Sequence, residues 1–396
     1  MSEGAIPVER PRLLNRGFAA LLLANVGFGY AFSSFLLLPK FMDLELSAGP
    51  AQVGALIAAH GAAVVVLLPF LGAAVDRMGR RGFLVAGALL MAVASAGFAA
   101  VSEVGLLLYS LRVLQALAFA MVFAAGGALA VDLAPPERLG QAIGLYGLSF
   151  LSMNAVAPAV VERVASQAGW PTAFGTAVLG ALLCAALSLR LPGGSPEEGH
   201  AGNGSSLVEV ALRRSLAPAL LVVALVGSAL GSVFSFYQLY ALELGLEQVS
   251  SFFVAYSAAA IILRTGFGHL IDQWGHRRVS TVVLALYAPV VFAVAHLEVF
   301  GLPLLGACLG ATHGIFYPSF NAVVVSGVGP GERGKVMSLF QAAFQVGMAG
   351  GGLCFGLLAE RAGYPIVFQA AAAGLVVALV VLVASGSRTG PGPRPD

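Results

Sequence analysis

Two arginines lie inside long apolar stretches of this sequence, where a charged side chain is costly. Arg112 and Arg264 are the strongly charged residues found away from the ends of such stretches. An arginine at the centre of a membrane helix costs about 2.5–3.5 kcal/mol on insertion scales, so it is expected to face a cavity or a partner. Arg264 lies nearer one end of its stretch, and its side chain could instead extend to the interface. No stretch has a carboxylate at its middle, which favours an anionic or neutral polar ligand.

Two histidines are the candidates for carrying a proton, because imidazole titrates near neutral pH. His60 and His313 both lie in apolar stretches. His313 is the better candidate, since Tyr317 and Asn321 follow it closely. A neutral, hydrogen-bonded histidine between two helices is an equally good interpretation of either residue. The sequence therefore favours His313 as the proton carrier but is equally compatible with a structural role for both histidines.

The remaining polar residues in these stretches are candidates for lining a central cavity. They are expected to face the interior of the bundle rather than lipid. Each could equally form hydrogen bonds between packed helices, which is a common role of Asn and Gln in membranes. These candidates are Asn25, Tyr30, Gln115, Gln238, Tyr317, Asn321 and Gln345.

The composition requires that the elements holding these residues be membrane helices. The chain has 396 residues, of which 59% are hydrophobic and 10% charged, whereas a soluble domain carries about 25% charged residues. The net charge of +2 and the absence of a long basic run argue against nucleic-acid binding. Cys184, Cys308 and Cys354 lie in apolar stretches without metal-ligand spacing. With no HExxH or GxSxG motif, we expect neither an enzyme, a metal site nor a cofactor.

Twelve stretches are long enough to cross a bilayer, which requires about 20 mostly apolar residues in a helix. The predicted fold class is therefore all-α integral membrane, with twelve transmembrane helices in two six-helix halves. The spans are 17–39, 46–75, 82–102, 104–131, 139–161, 164–189, 215–242, 248–271, 279–297, 299–328, 336–359 and 362–385.

The distribution of basic residues predicts the orientation of these spans. Most of the 21 lysines and arginines fall in the segments that are cytoplasmic if both termini are inside. The opposite loops hold only Lys40, Arg163 and Arg361. Such a bias is a strong positive-inside signal. We therefore expect a multi-pass protein of the cytoplasmic (inner) membrane with both termini in the cytoplasm.

Three motifs of the first half of the chain recur in the second half. GAAVDRMGRR recurs as GHLIDQWGHRR, PPERLG as PGERGK, and GWPTAF as GYPIVF. The offset is about 195 residues in each case, which indicates an internal duplication. Between the copies lies a Gly-, Ser-, Pro- and Glu-rich segment typical of a flexible linker. The predicted domains are residues 1–190, a cytoplasmic linker 191–213, and residues 214–396 with a short cytoplasmic tail.

These motifs resemble those of the major facilitator superfamily over nearly the whole chain. GAAVDRMGRR is similar to the family's signature loop between its second and third helices, and Arg112 in LRVLQA to its fourth-helix arginine. The resemblance implies that the signature loops gate the cytoplasmic side, where Asp132 is a candidate partner for the arginines. The expected gating residues are Gly72, Asp76, Arg77, Gly79, Arg80, Arg81, Asp132, Gly268, Asp272, Gly275, Arg277 and Arg278.

The best overall likeness is to bacterial efflux members of the superfamily that act on drugs and metabolites. It implies a monomeric secondary transporter that moves a small organic solute by alternating access, through proton-coupled efflux. Proton-coupled uptake of an organic anion is the first alternative. A receptor on the same fold, which binds its ligand without moving it, is the second.

Overall fold

The computed structural model describes residues 13–193, 209, 210, 213, 215–329 and 332–386, and all regular elements in this part are helical. The N-terminal set of helices is α1 (Arg16–Ser33), α2 (Leu38–Leu46), α3 (Pro50–Met78), α4 (Arg80–Gly97), α5 (Leu106–Asp132) and α6 (Leu139–Ser188). The C-terminal set is α7 (Ala217–Glu243), α8 (Ser250–Trp274), α9 (His276–Val294), α10 (Leu297–Phe300), α11 (Leu302–Ser326), α12 (Arg333–Ala362) and α13 (Tyr364–Gly386). Short 3₁₀ segments cover Ser34–Leu37, Phe98–Ala100 and Pro136–Arg138.

Nine helical segments of the described residues are long and apolar enough to cross a membrane. This number is smaller than twelve for identifiable reasons. The stretch Pro136–Ser188 counts once, although Gly169 at φ 79° and ψ 163° breaks α6 into two helices. The apolar part of α8, Ser250–Gly266, is shorter than the others, and α11 is not among the nine. The count of twelve spans stays a prediction.

Two pairs of glycines end or interrupt helices at equivalent places in the repeats. Gly79 lies between α3 and α4 with φ 87°, and Gly275 lies between α8 and α9 with φ 83°. Gly169 and Gly363 have φ 79° and 80° at the next corresponding turns. A side chain is strained at such positive φ values, and glycine is not. The repeated motifs therefore contain glycine where the backbone reverses direction.

Helix packing is alike in the two sets. In the N-terminal set, α5 packs on α3 and α4, while α6 packs on α1 and α4. In the C-terminal set, α11 packs on α8 and α9, and α13 packs on α7 and α9. Close contacts through glycine bring the backbones together, as at Gly310, where an added Cβ would lie 2.0 Å from the carbonyl oxygen of Tyr256. Small residues serve this purpose in membrane helices.

The two sets contact each other chiefly through α3 with α12 and α6 with α8. The α3–α12 contact involves Gly54, Gly352 and Gly356, close to the start of α3 and the end of α12. We call this end of the bundle, which also holds the α7–α8 loop, the Lys40 end. The opposite end, where α3 meets α4 and α8 meets α9, is called the arginine end.

Candidate functional site

Arg112 and Gln115 lie one turn apart on α5. Arg112 Nη1 donates a hydrogen bond of 2.9 Å to Gln115 Oε1, in agreement with the i, i+3 proximity of a helix. Gln115 is 1% exposed. Arg112 Nε and Gln115 Nε2 are both buried, and neither has a hydrogen-bond partner in the described part of the chain. This pair therefore carries two unused donors beside a positive charge.

An aromatic cluster lies beside this pair. His60 on α3 places Nδ1 3.4 Å from the carbonyl oxygen of Arg112. The His60 ring lies 5.9 Å from that of Phe32 and 6.4 Å from that of Phe119, between ring centroids. Phe150 contacts both of these phenylalanines. Phe119 follows Gln115 by one turn of α5, so apolar ring surface and charged donors lie on neighbouring turns of one helix, an arrangement typical of sites for small organic molecules.

A second polar cluster lies in the C-terminal set around Arg264 and His313. Arg264 Nε donates a hydrogen bond of 2.9 Å to the carbonyl oxygen of Gly314, on α11. His313 Nδ1 lies 3.3 Å from the hydroxyl oxygen of Tyr287. The Tyr317 hydroxyl donates to Gln341 Oε1. The structure therefore brings two predicted candidates, His313 and Tyr317, close to Arg264.

Three members of this second cluster were missed by the sequence analysis. Tyr287 and Gln341 form the hydrogen bonds just described, and the Tyr256 ring lies 6.3 Å from that of His313. Tyr256 lies at the position of α8 that corresponds to His60 on α3, according to the offset of the repeated motifs. The duplication was the signal that could have identified it.

The other predicted cavity residues differ in their surroundings. Asn25 donates from Nδ2 to the carbonyl oxygen of Tyr146 and to Ser149 Oγ, both at 2.8 Å. Tyr30 donates to Thr176 Oγ1 at 2.9 Å. These bonds join α1 to α6 and match the interhelical alternative. Gln238 is fully buried and donates to the carbonyl oxygens of Leu36 and Phe234. Asn321 and Gln345 are half-buried.

At the arginine end, the described gating candidates form contacts inside their own helix sets. Arg80 forms an ion pair with Asp132. Arg81 Nη1 donates to the carbonyl oxygen of Leu191 at 3.4 Å, and Arg277 Nη2 to that of Leu382 at 2.7 Å. Arg278 is exposed. The surroundings of Gly72, Asp76, Arg77, Gly268 and Asp272 lie outside the described part of the structure, and the gating role of all these candidates stays a prediction.

Arg81 and Arg277 form a repeated contact. Both follow the glycine turn that begins α4 or α9, and both donate to a carbonyl near the end of the last helix of their set. Basic side chains bind the free carbonyls at helix C-termini favourably. These two arginines therefore hold α4 to the end of α6 and α9 to the end of α13.

A bidentate ion pair joins the segment before α7 to the start of α12. Arg213 Nη1 and Nη2 donate to Glu332 Oε2 and Oε1 at 2.7 and 2.6 Å. The side-chain hydrogen bond to Glu332 raises the pKa of Arg213 above its ordinary value. Arg213 is the last residue of the predicted linker, and in the structure it contacts the C-terminal set.

A buried ion pair of the N-terminal set lies at the Lys40 end, and both of its members form further hydrogen bonds to the C-terminal set. This pair was not expected from the sequence. Lys40 Nζ lies 2.6 Å from Glu162 Oε1, with each side chain 10% exposed. Glu162 also accepts from the backbone N–H groups of Val249 and Ser250 at 2.9 and 3.0 Å, at the start of α8. Lys40 donates further to the carbonyl oxygen of Glu247. A carboxylate at a helix N-terminus is stabilised by the helix dipole.

Lys40 was assigned to an outer loop, and Glu162 lies just past the end of a predicted span. Charges at such positions are usually solvated, so no pattern in the sequence pairs them. Among the described residues, no group of three or more His, Cys, Asp or Glu side chains could hold a metal ion.

Comparisons with known proteins agree on one superfamily. The family model described as Major Facilitator Superfamily matches residues 19–328 and 247–396. Multidrug resistance protein 2 of Bacillus subtilis (strain 168) is 23% identical over 305 residues, which cover 73% of this chain and 75% of that protein.

Solved structures of transporters have the same fold. A POT family transporter in complex with 5-aminolevulinic acid has a TM-score of 0.79 at 13% identity, covering 95% of this chain and 97% of that one. The human organic anion transporter MFSD10 (TETRAN) has a TM-score of 0.68 at 18% identity, covering 94% of this chain and 100% of that one. At such low identity, these likenesses concern the fold alone.

Proposed function

Since this chain belongs to the Major Facilitator Superfamily, we propose that it is a secondary active transporter that moves a small organic solute by alternating access. In this proposal it is a monomer with twelve transmembrane helices in two six-helix halves, residues 1–190 and 214–396. Both termini are cytoplasmic, in accordance with the positive-inside rule. The similar packing in the two helix sets supports this layout, since parallel repeats form the halves of such transporters.

The contact between the two sets at the Lys40 end is the observation that carries the proposal. Gly54 packs so closely on α12 that an added Cβ would lie 2.2 Å from the carbonyl oxygen of Gly352. Glu162 adds hydrogen bonds to Val249 and Ser250, and Gln238 adds one to Leu36. If the Lys40 end faces outside, this conformation is closed on the outer side. Separation of these contacts would then open the outer side of a central site.

The solute is anionic or neutral and polar in this proposal. Each helix set contributes one interior arginine, Arg112 or Arg264, and the carboxylates Glu162 and Asp132 lie towards the ends of the bundle. We propose proton-coupled efflux as the direction, which the name of the Bacillus multidrug resistance relative supports. Uptake of an organic anion is the second candidate, favoured by the two arginines.

The test is solute flux in proteoliposomes with an imposed proton gradient. Solutes are first selected by their stabilisation of the purified protein in thermal-shift measurements. We expect accumulation against the solute gradient, with a direction that reverses when the proton gradient is reversed. Arg112→Ala serves as the matched variant and should lose flux while it remains monodisperse. Binding without accumulation in any gradient would contradict transport and favour a receptor.

A further inference from the structure

We propose that Arg112 and Gln115 bind the carboxylate of an organic acid whose apolar part lies against Phe32, Phe119 and Phe150. This inference rests on the proposed function, because it names the class of solute carried at the same site. This class is selected by two buried donors that have no acceptor within the described ranges of the chain, together with the aromatic rings nearby.

The free edge of the Arg112 guanidinium has the geometry that a carboxylate requires. Nη1 already donates to Gln115 Oε1. Nε has no acceptor in the described part of the chain, and Nε and Nη2 form one side of the planar group. Two parallel N–H donors on that side can bind both oxygens of a carboxylate, or share one oxygen with a further donor. A hydroxyl or a carbonyl offers a single oxygen and fits this edge less well.

Gln115 supplies the further donor. Its Oε1 accepts from Arg112, so its Nε2 is held at the other end of the amide, buried and without an acceptor among the described residues. A buried donor without a partner is unfavourable, and a ligand oxygen would relieve it. Both donor atoms are covered in this conformation, so the side chains around them must move aside as the ligand enters.

The charge balance and the rings determine the rest of the ligand. The ion pairs found among the described residues do not include Arg112, so the site has an uncompensated cation to which an anion can bind. The Phe32 and Phe119 rings lie 4.7 Å apart, and Phe119 and Phe150 lie 6.4 Å apart. An organic acid with an apolar, preferably aromatic, body satisfies both features.

Arg264 is less suited to the same role. Its Nε donates to the carbonyl oxygen of Gly314 at 2.9 Å, so the side of its guanidinium that matches a carboxylate is already occupied. The inference therefore places the carboxylate in the N-terminal set, on α5.

The test is binding of phenylalkanoates with one to four methylene groups, compared with their neutral primary amides. Affinities are measured by titration calorimetry with the full-length protein in detergent at neutral pH. We expect at least one acid to bind about tenfold or more tightly than its amide, a difference of about 1.4 kcal/mol. Arg112→Lys keeps the charge but loses the planar edge, and Gln115→Met removes the donor at similar size. Each substitution should weaken binding of the acid by about tenfold and leave the affinity for the amide unchanged.

Arg361→Gln, which removes an exposed arginine far along the chain, is the control and should not change either affinity. Equal binding of acids and amides, no binding of any acid, or full acid selectivity in Gln115→Met would overturn the inference. Loss of acid selectivity in Arg264→Lys but not in Arg112→Lys would also overturn it. If acids bind in a manner that depends on Arg112 but no flux is found, the proposed function is contradicted and the inferred binding site is still supported.

Discussion

Glu162, on α6, joins three helices at the Lys40 end, since it contacts Lys40 on α2 and two backbone N–H groups at the start of α8. We expect Glu162→Gln to shift the resting population towards the state that is open at this end. The variant leaves Lys40 without its counter-charge, and loss of one partner of a buried ion pair costs about 3–5 kcal/mol. Each side chain of the pair is 10% exposed, so the free-energy cost of the substitution should be about 3 kcal/mol or less.

The measurement uses a cysteine at Ile57 in a chain without its three native cysteines. Ile57 packs beside Gly352 between α3 and α12. A membrane-impermeant maleimide added outside should label this cysteine faster in Glu162→Gln than in the parent. Glu360→Gln, at an exposed carboxylate, is the control. Equal labelling rates in all three proteins would show that the ion pair does not hold this end closed.

His313 is the residue at which proton coupling is tested. Its ring contacts Tyr256 and Tyr287, and it lies in the same cluster as Arg264. We expect His313→Gln to abolish flux driven by a pH gradient while exchange of labelled solute continues. His60→Gln is the matched variant in the N-terminal set. Unchanged gradient-driven flux in both variants would exclude proton transfer through these histidines.

At the scale of helices, the α3–α12 contact needs glycine. A side chain at Gly54 would overlap the carbonyl oxygen of Gly352, whereas Gly350, on the same helix α12, has open space around its Cβ position. We expect Gly54→Val to prevent close packing at the Lys40 end, at a cost of about 1–3 kcal/mol typical of overpacking. Faster labelling of the Ile57 cysteine measures this opening.

Gly350→Val is the control for the introduction of a β-branched residue into α12. It should label like the parent and transport normally. If Gly54→Val also labels like the parent, the α3–α12 contact does not close the Lys40 end.

Asp76 lies close to the glycine turn at the arginine end, and its substitution is expected to have the opposite effect to that of Gly54→Val. Family resemblance implies that the loop after α3 docks at the start of α12, where a carboxylate at the helix N-terminus is worth about 0.3–1 kcal/mol, and up to about 2 when partly buried. Asp76→Asn should therefore favour the state that is closed at the Lys40 end and slow labelling of the Ile57 cysteine. Asp272→Asn should have a smaller effect, because Asp272 is followed by Gln273, whereas Asp76 is followed by Arg77. Unchanged labelling and flux in Asp76→Asn would leave only an anchoring role.

At the scale of the whole molecule, local features and the Arg80–Asp132 ion pair were predictable, and the Lys40–Glu162 ion pair was not. Helical spans follow from hydropathy over about 20 residues, and the glycine turns follow from the repeated motifs. The interior position of Arg112 follows from the cost of charge in lipid. For Arg264, an interfacial side chain agreed with the sequence equally well. The Lys40–Glu162 pair joins residues that are distant in sequence, and both lie at span ends, where hydropathy carries no signal.

Distances across both ends of the bundle, measured by pulsed spin-label spectroscopy, test the proposal of alternating access most directly. One pair of labels replaces Glu103 and Arg361, which are exposed at the Lys40 end on opposite helix sets. The other pair replaces Gly140 and Gly334, which are exposed at the arginine end. When Glu162→Gln or bound solute shifts the population, the first distance should increase and the second should decrease. Distances that stay constant, or that change in the same direction, would contradict transport by alternating access.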